Sequence, residues 1–357
     1  MDQPRRWTLR RKLLGVGITV VALGMAGLGM ARKPLNPAPS PGQLLPGGAM
    51  VAWSPGYRVS FFGVERLHPF DSYKYDKIAA ELQKKGLVPG DAFLIPDEAP
   101  AALLARVHDP AYLASLTDNE RLSQVIEVPV PGIFGAKSIE ARILAPFRRA
   151  TGGTIAMARH ALEHGVGINL GGGYHHARPD GGHGFCVYND VAAAVLTLRD
   201  QGFEGRVLII DTDAHQGDGN HAAFADDPSV YTLSFQQEKI FPQPRVPGDR
   251  DVELRSGTDD SAYLARLERE LDAAFEADDI GLVIHVAGSD PLWNDPLASL
   301  GLTIDGLVKR DLMVMHAARD RSIPYLHLLA GGYGPSSAEG SAASIAAILR
   351  EVAAPPR

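Results

Sequence analysis

Residues 206–219 read RVLIIDTDAHQGDG: an apolar, β-branched run that stops at a cluster of aspartates around one histidine. Three other runs stop in the same way. VGINL (166–170) precedes GGGYHH, LVIHVAG (282–288) precedes SDP, and YLHLLAGG (325–332) precedes Tyr333. Short β-branched runs separated by helix-length segments read as parallel strands of an α/β sheet, whose ligands bind at the carboxyl ends of the strands. Four such ends can meet in one pocket. Pooled, they offer His175, His176, Asp211, Asp213, His215, Asp218, Asp290 and Tyr333, a set suited to hydrolysis at a metal.

The segments between the runs have helical periodicity. TGGTIAMARHALEHG (151–165), NDVAAAVLTLRDQG (189–202), SAYLARLERELDAAFEA (261–277) and TIDGLVKRDLMVMHAAR (303–319) each lead to a strand candidate, and SSAEGSAASIAAILRE (336–351) closes the pattern. Nearer the amino terminus, DKIAAELQKKG (76–86) reads as a helix and AFLIP (92–96) as a strand. DPAYLASL (109–116) reads as a short helix with Pro110 in its first turn. No sequence repeat of fixed period is present, which argues against a solenoid. The expected fold is α/β, three-layered, with a central, mostly parallel sheet flanked by helices in one large catalytic domain over 49–357.

Ahead of that body, Arg5, Arg6, Arg10, Arg11 and Lys12 precede nineteen uncharged residues, Leu13 to Ala31. As a helix this stretch spans roughly 28 Å, enough to cross a hydrocarbon core. The charge asymmetry places the amino terminus in the cytoplasm. The expectation is therefore a basic n-region and transmembrane anchor over 1–33, with the catalytic domain on the non-cytoplasmic side. The alternative is a cleaved signal and an exported soluble protein, since RRKLL resembles a twin-arginine export signal. Residues 34–48, PLNPAPSPGQLLPGG, hold five prolines and read as a linker.

Net charge is −7, and no basic run lies within the body, so no nucleic-acid partner is expected and cationic substrates are favoured. Cys186 is the only cysteine, which excludes an intrachain disulfide framework.

Asp213 and His215 stand two apart just past a strand, where extended backbone puts both side chains on one side. They can share an ion. Asp290, at a third strand end, completes a carboxylate, imidazole, carboxylate set, and zinc accepts such ligands while keeping a position open. The simpler reading, that the aspartates cap the elements that follow, explains neither the neighbouring histidine nor the second aspartate. His175 and His176 follow three glycines whose bend would let both reach the pocket, with Asp211 and Asp218 to orient their far nitrogens. Tyr333 follows two glycines, and its hydroxyl could donate to a developing oxyanion.

GGGYHHARPDGGHGFCVYND (171–190), IIDTDAHQGDGN (209–220), AGSDPLWNDPLASLGLT (287–303) and LAGGYG (329–334) resemble the histone deacetylase and acetylpolyamine amidohydrolase superfamily. The resemblance covers roughly residues 50 to 350. HPFDSYKYDK (68–77), residues 151–176, DTDAHQGDG (211–219) and VELRSGTDDSAYL (252–264) are most similar to its class IV branch. The resemblance implies an arginase-like fold, with Asp213, His215 and Asp290 as zinc ligands and ferrous iron as the alternative metal. It implies His175 and His176 as the acid/base pair backed by Asp211 and Asp218, and Tyr333 as the oxyanion donor. Gly184 and Phe185 match the family's acyl-lysine tunnel, and Phe241 is a candidate for the facing wall. A structural potassium ion on backbone oxygens of Asp211, Asp213 and His215, with Ser234 nearby, is also implied.

Two departures bear on substrate. Gln216 stands where many class I members have a second histidine, and GIFGAKSIEARIL (132–144) has no counterpart of the rim aspartate that grips substrate backbone. The implied activity is removal of acyl groups from Nε-acyl-lysine or a similar amine. The closest rival is an acetylpolyamine or other small-molecule amidohydrolase. A rival of another class is a catalytically silent acyl-ligand-binding membrane protein, against which the complete residue set argues.

Overall fold

The four runs that end in polar clusters form contiguous strands in the computed structural model, which describes residues 37–60, 65, 69–130, 132, 134–277 and 279–354. The strands are β1 (Met50–Ala52), β2 (Val166–Asn169), β3 (Arg206–Asp211), β4 (Val230–Gln237), β5 (Arg250–Leu254), β6 (Ile280–Val286) and β7 (Tyr325–Leu328). They pair in the order β1-β2-β7-β6-β3-β4-β5, and every pairing is parallel. The expected α/β fold is thus present, with helices flanking the sheet in a three-layer arrangement.

Register decides where the site lies. Asn169 pairs with Leu328, Leu328 with Val286, and Val286 with Asp211, so β2, β7, β6 and β3 end level with one another. The chain runs outward from β3 through β4 to β5, then returns through β6 and β7 on the other side of β3. That reversal opens a crevice at the carboxyl ends, where open α/β sheets bind ligands.

The main helices are α1 (Lys74–Lys84), α2 (Ala145–His164), α3 (Asp190–Asp200), α4 (Asp218–Phe224), α5 (Asp260–Ala274), α6 (Ile304–Arg319) and α7 (Ser337–Ala353). Helix α2 packs on α3, while α6 packs between α5 and α7, and α7 also meets α1. Capping follows the sequence: Asn189, Asp259 and Thr303 accept from backbone amides at the starts of α3, α5 and α6. The short helix Pro110–Ser115 begins after Asp109, as its sequence predicts.

Three strands escape the sequence reading. β1 has three residues, β5 alternates with charge at Arg250, Asp251 and Glu253, and β4 buries polar Ser234, Gln236 and Gln237. AFLIP does not form a strand. Leu94 instead exchanges hydrogen bonds with Val51 and Trp53 and covers the β1 edge, and Pro96 ends the pairing. The segment expected as a linker also touches the body, because Ser40 bonds Ile95 and Leu45 is buried in the core.

The anchor or signal expected over 1–33 lies outside the described residues. Among the described residues no helix is long and apolar enough to cross a membrane. Even the 20-residue α2 carries Arg148, Arg149, Arg159 and Glu163. Placement of the chain by one membrane span, with its body on the far side, is corrected accordingly, and nothing among the described residues supports a membrane partner.

Candidate active site

Beyond β2 the chain turns through Gly172 and Gly173, both in the left-handed region at φ 75° and 72°. Asp190, at the start of α3, fixes this bend by accepting from the amides of Gly173 at 2.9 Å and Tyr174 at 2.7 Å, and from the Thr154 hydroxyl at 2.6 Å. His175 and His176 consequently lie in a turn. Their ring centroids lie 4.0 Å apart, the planes tilted by 44°, and both enter the same crevice, whereas an extended chain would have separated them.

Each imidazole has its own carboxylate. His175 Nδ1 lies 2.7 Å from Asp211 Oδ2, and His176 Nδ1 lies 2.6 Å from Asp218 Oδ1. Asp218 Oδ2 also accepts from Arg178 Nε at 2.6 Å and faces His183 Nε2 at 2.8 Å. The two histidines diverge in proton affinity. Burial lowers His175, but the charges of Asp211 and Asp213 outweigh it and raise it to about 9. Burial and the adjacent His175 push His176 down to about 3, despite Asp218.

Asp213, His215 and Asp290 form the second group, all buried, with candidate ligand atoms within 4.8 Å of one another. His215 Nδ1 is 3.2 Å from Asp213 Oδ1 and 2.8 Å from Asp290 Oδ2. Backbone amides hold the carboxylates in place: Gly331 donates to Asp213 Oδ2 at 2.9 Å, and Ala214 to Asp290 Oδ1 at 2.8 Å. Burial and the nearby Asp213 raise the Asp290 carboxyl above the usual range. Two buried carboxylates around one imidazole suit a divalent cation.

Tyr333 completes the crevice. A methyl group built on Gly331 would lie 2.4 Å from Asp213 Oδ2, 2.9 Å from Asp290 Oδ2 and 3.2 Å from the Tyr333 hydroxyl, so that hydroxyl adjoins the carboxylates. Desolvation raises the phenol well above its ordinary value and keeps it protonated as a donor. Gly184, Phe185 and Phe241 adjoin the catalytic-looking side chains. The Phe185 ring meets Tyr333 at 5.6 Å, and Phe241, 38% exposed, meets His176 at 5.0 Å. Gln216 points away, donating to Asp251 and to the Val246 carbonyl. Ser234 sits beside Asp211 in the β3–β4 register.

All the residues singled out from the four strand ends therefore converge. Sequence reasoning missed their supports: Arg178, His183, Asp190, Asp295 and Lys74. Asp295 accepts from the Tyr333 amide at 2.7 Å and the Gly334 amide at 3.0 Å. Buried Lys74 donates to the carbonyls of Ala330 at 2.9 Å and Gly331 at 3.0 Å, and burial lowers it to about 8. All five lie in segments quoted for the resemblance: Lys74 in 68–77, Arg178, His183 and Asp190 in 171–190, and Asp295 in 287–303.

The chain is similar to known proteins over most of its length. The histone deacetylase domain model matches residues 68–349. The chain is 38% identical over 308 residues to Histone deacetylase 2 of Arabidopsis thaliana, covering 84% of this chain and 79% of that protein. It is 27% identical over 270 residues to the acetoin utilization protein AcuC of Staphylococcus xylosus, covering 70% and 69%. The crystal structure of the HDA15 HD domain superposes with a TM-score of 0.67 at 24% identity, covering 86% of this chain and 90% of that one, a likeness of fold.

Proposed function

This chain belongs to the histone deacetylase family of hydrolases, and on that premise we propose that it is a zinc-dependent deacylase acting on Nε-acyl-lysine or a similar acylated amine. The observation that carries the reading is the convergence of two His–Asp pairs and one tyrosine hydroxyl on the Asp213, His215, Asp290 group. One imidazole nitrogen and two carboxylate oxygens are a donor set that zinc accepts with a position left for substrate or water. Zinc held there would polarise the amide carbonyl and acidify a water molecule.

The chain's own groups supply the rest. His176, oriented through Nδ1 by Asp218 at 2.6 Å, takes the proton of the attacking water and returns one to the departing amine. His175, oriented through Nδ1 by Asp211 at 2.7 Å, stands beside His176 as the second imidazole of the acid/base pair. The Tyr333 hydroxyl donates to the carbonyl oxygen as it becomes negative, a contact worth roughly 3–4 kcal/mol in comparable sites. Gly184, Phe185 and Phe241 hold the acylated side chain, with the Phe185 ring against Tyr333 and the Phe241 ring against His176.

The test is a substrate panel run on chelated and zinc-restored protein: an acetyl-lysine peptide, a myristoyl-lysine peptide and an acetylpolyamine. Hydrolysis of an acyl-lysine that disappears with the chelator and returns with zinc is expected. Zinc-loaded protein that cleaves none of the three would refute the reading, and preference for the acetylpolyamine would replace the lysine substrate with a small amine.

A further inference from the structure

Beneath the crevice lies a fully buried guanidinium that no step above uses. Arg310, on α6, is 0% exposed. Its Nε donates to Asp311 Oδ1 at 2.7 Å, and its Nη1 donates to the carbonyl oxygens of Gly288 at 2.7 Å and Thr212 at 3.1 Å. Thr212 immediately precedes Asp213 at the end of β3, and Gly288 lies two residues before Asp290 beyond β6. One nitrogen thus ties together the two strand ends that carry the carboxylates. Asp311 is held in turn, because its other oxygen accepts from the Ser344 hydroxyl on α7.

A buried arginine is costly wherever an apolar side chain would pack as well. Here its planar fork supplies a fixed direction that a flexible ammonium lacks. We infer that Arg310 is a positioning residue that sets the separation of the Asp213 and Asp290 carboxylates, and thereby the affinity of the site for its divalent ion. The inference rests on the metal-site reading above. Asp311 offsets the positive charge, so the effect on the ion is geometric.

Arg310→Lys isolates that geometry, since it keeps the charge and loses the fork. Zinc affinity is measured by competition with a chromogenic chelator, the coordination environment by the visible absorption of bound cobalt, and folding stability by urea unfolding under chelator. Arg310→Lys should bind zinc about 10- to 100-fold more weakly, the range for groups that orient metal ligands, and should shift the cobalt spectrum. A folded Arg310→Lys protein with wild-type zinc affinity and an unchanged spectrum overturns the inference, as does a loss of stability under chelator with no change in affinity. If Arg310→Lys does not fold, Arg310→Met combined with Asp311→Leu removes the charge pair together, and the same two metal readouts decide. Wild-type protein that binds no zinc, or Asp290→Ala that binds it as tightly as wild type, overturns the metal site itself and this inference with it.

Discussion

Replacing Gly184 by alanine should disable the enzyme without touching a metal ligand. The residue sits at φ +55°, where a β-carbon costs about 1–2 kcal/mol. That carbon would also lie 2.6 Å from His176 Cδ2 and 2.9 Å from Phe241 Cε1. Favourable carbon contacts are about 3.5–4.0 Å, so each neighbour must retreat by roughly 1 Å. Phe241 is 38% exposed and can swing outward. His176 cannot, because Asp218 holds Nδ1 at 2.6 Å and the His175 ring backs it at 4.0 Å. The strain therefore falls on the proposed base, and a misplacement of about 1 Å in a reacting group costs on the order of 10²-fold. Steady-state turnover of the best panel substrate should drop by about that factor, while zinc content by elemental analysis stays at wild-type level. Urea unfolding should show a loss of about 1–2 kcal/mol. Wild-type turnover in folded Gly184→Ala would refute the placement of His176, and loss of zinc would refute the separation of its role from the metal's.

Tyr333→Phe should lose about 10²-fold or more in turnover at unchanged zinc content, and an active variant would remove the tyrosine from the chemistry. Asp290→Ala should lose zinc and activity together, because it removes one carboxylate from His215 Nδ1 and leaves Asp213 without its partner across the site. Acid stability offers a test away from the crevice. Burial lowers His327 from its ordinary value to about 4, so the folded protein keeps it neutral while the unfolded chain takes up a proton below about pH 6.5. Its contribution is present above that pH and is lost as pH falls toward 4, about 2 kcal/mol being gone by pH 5. Urea midpoints from pH 7 to 5 should fall less steeply in His327→Gln than in wild type, and parallel slopes would contradict the assignment.

The strands legible in the sequence were those buried on both faces, whose apolar runs need no alternation: β2, β3, β6 and β7. They are also the strands whose level ends build the crevice, which is why the site could be read before the fold. The outer strands were hidden by short length at β1 and by charge at β5. The supports were hidden for another reason. Lys74 lies 256 residues from Ala330, and Arg310 lies 98 residues from Thr212, so only the folded chain brings these partners together. The N-terminal apolar run was read by length and charge alone, and no helix in the described body bears out a membrane placement.

The central position of β7 constrains how this protein is made. The last strand to leave the ribosome inserts between β2 and β6, two strands already synthesised. Until residue 328 emerges, the nascent sheet is two pieces, β1-β2 and β6-β3-β4-β5, each with an open backbone edge available to other chains. Tyr333 and the Gly331 amide that holds Asp213 arrive later still. The deacetylase pocket is therefore one of the last features to form during synthesis, and the partly made chain depends on a rapid final strand insertion, or on a chaperone, to stay free of aggregation.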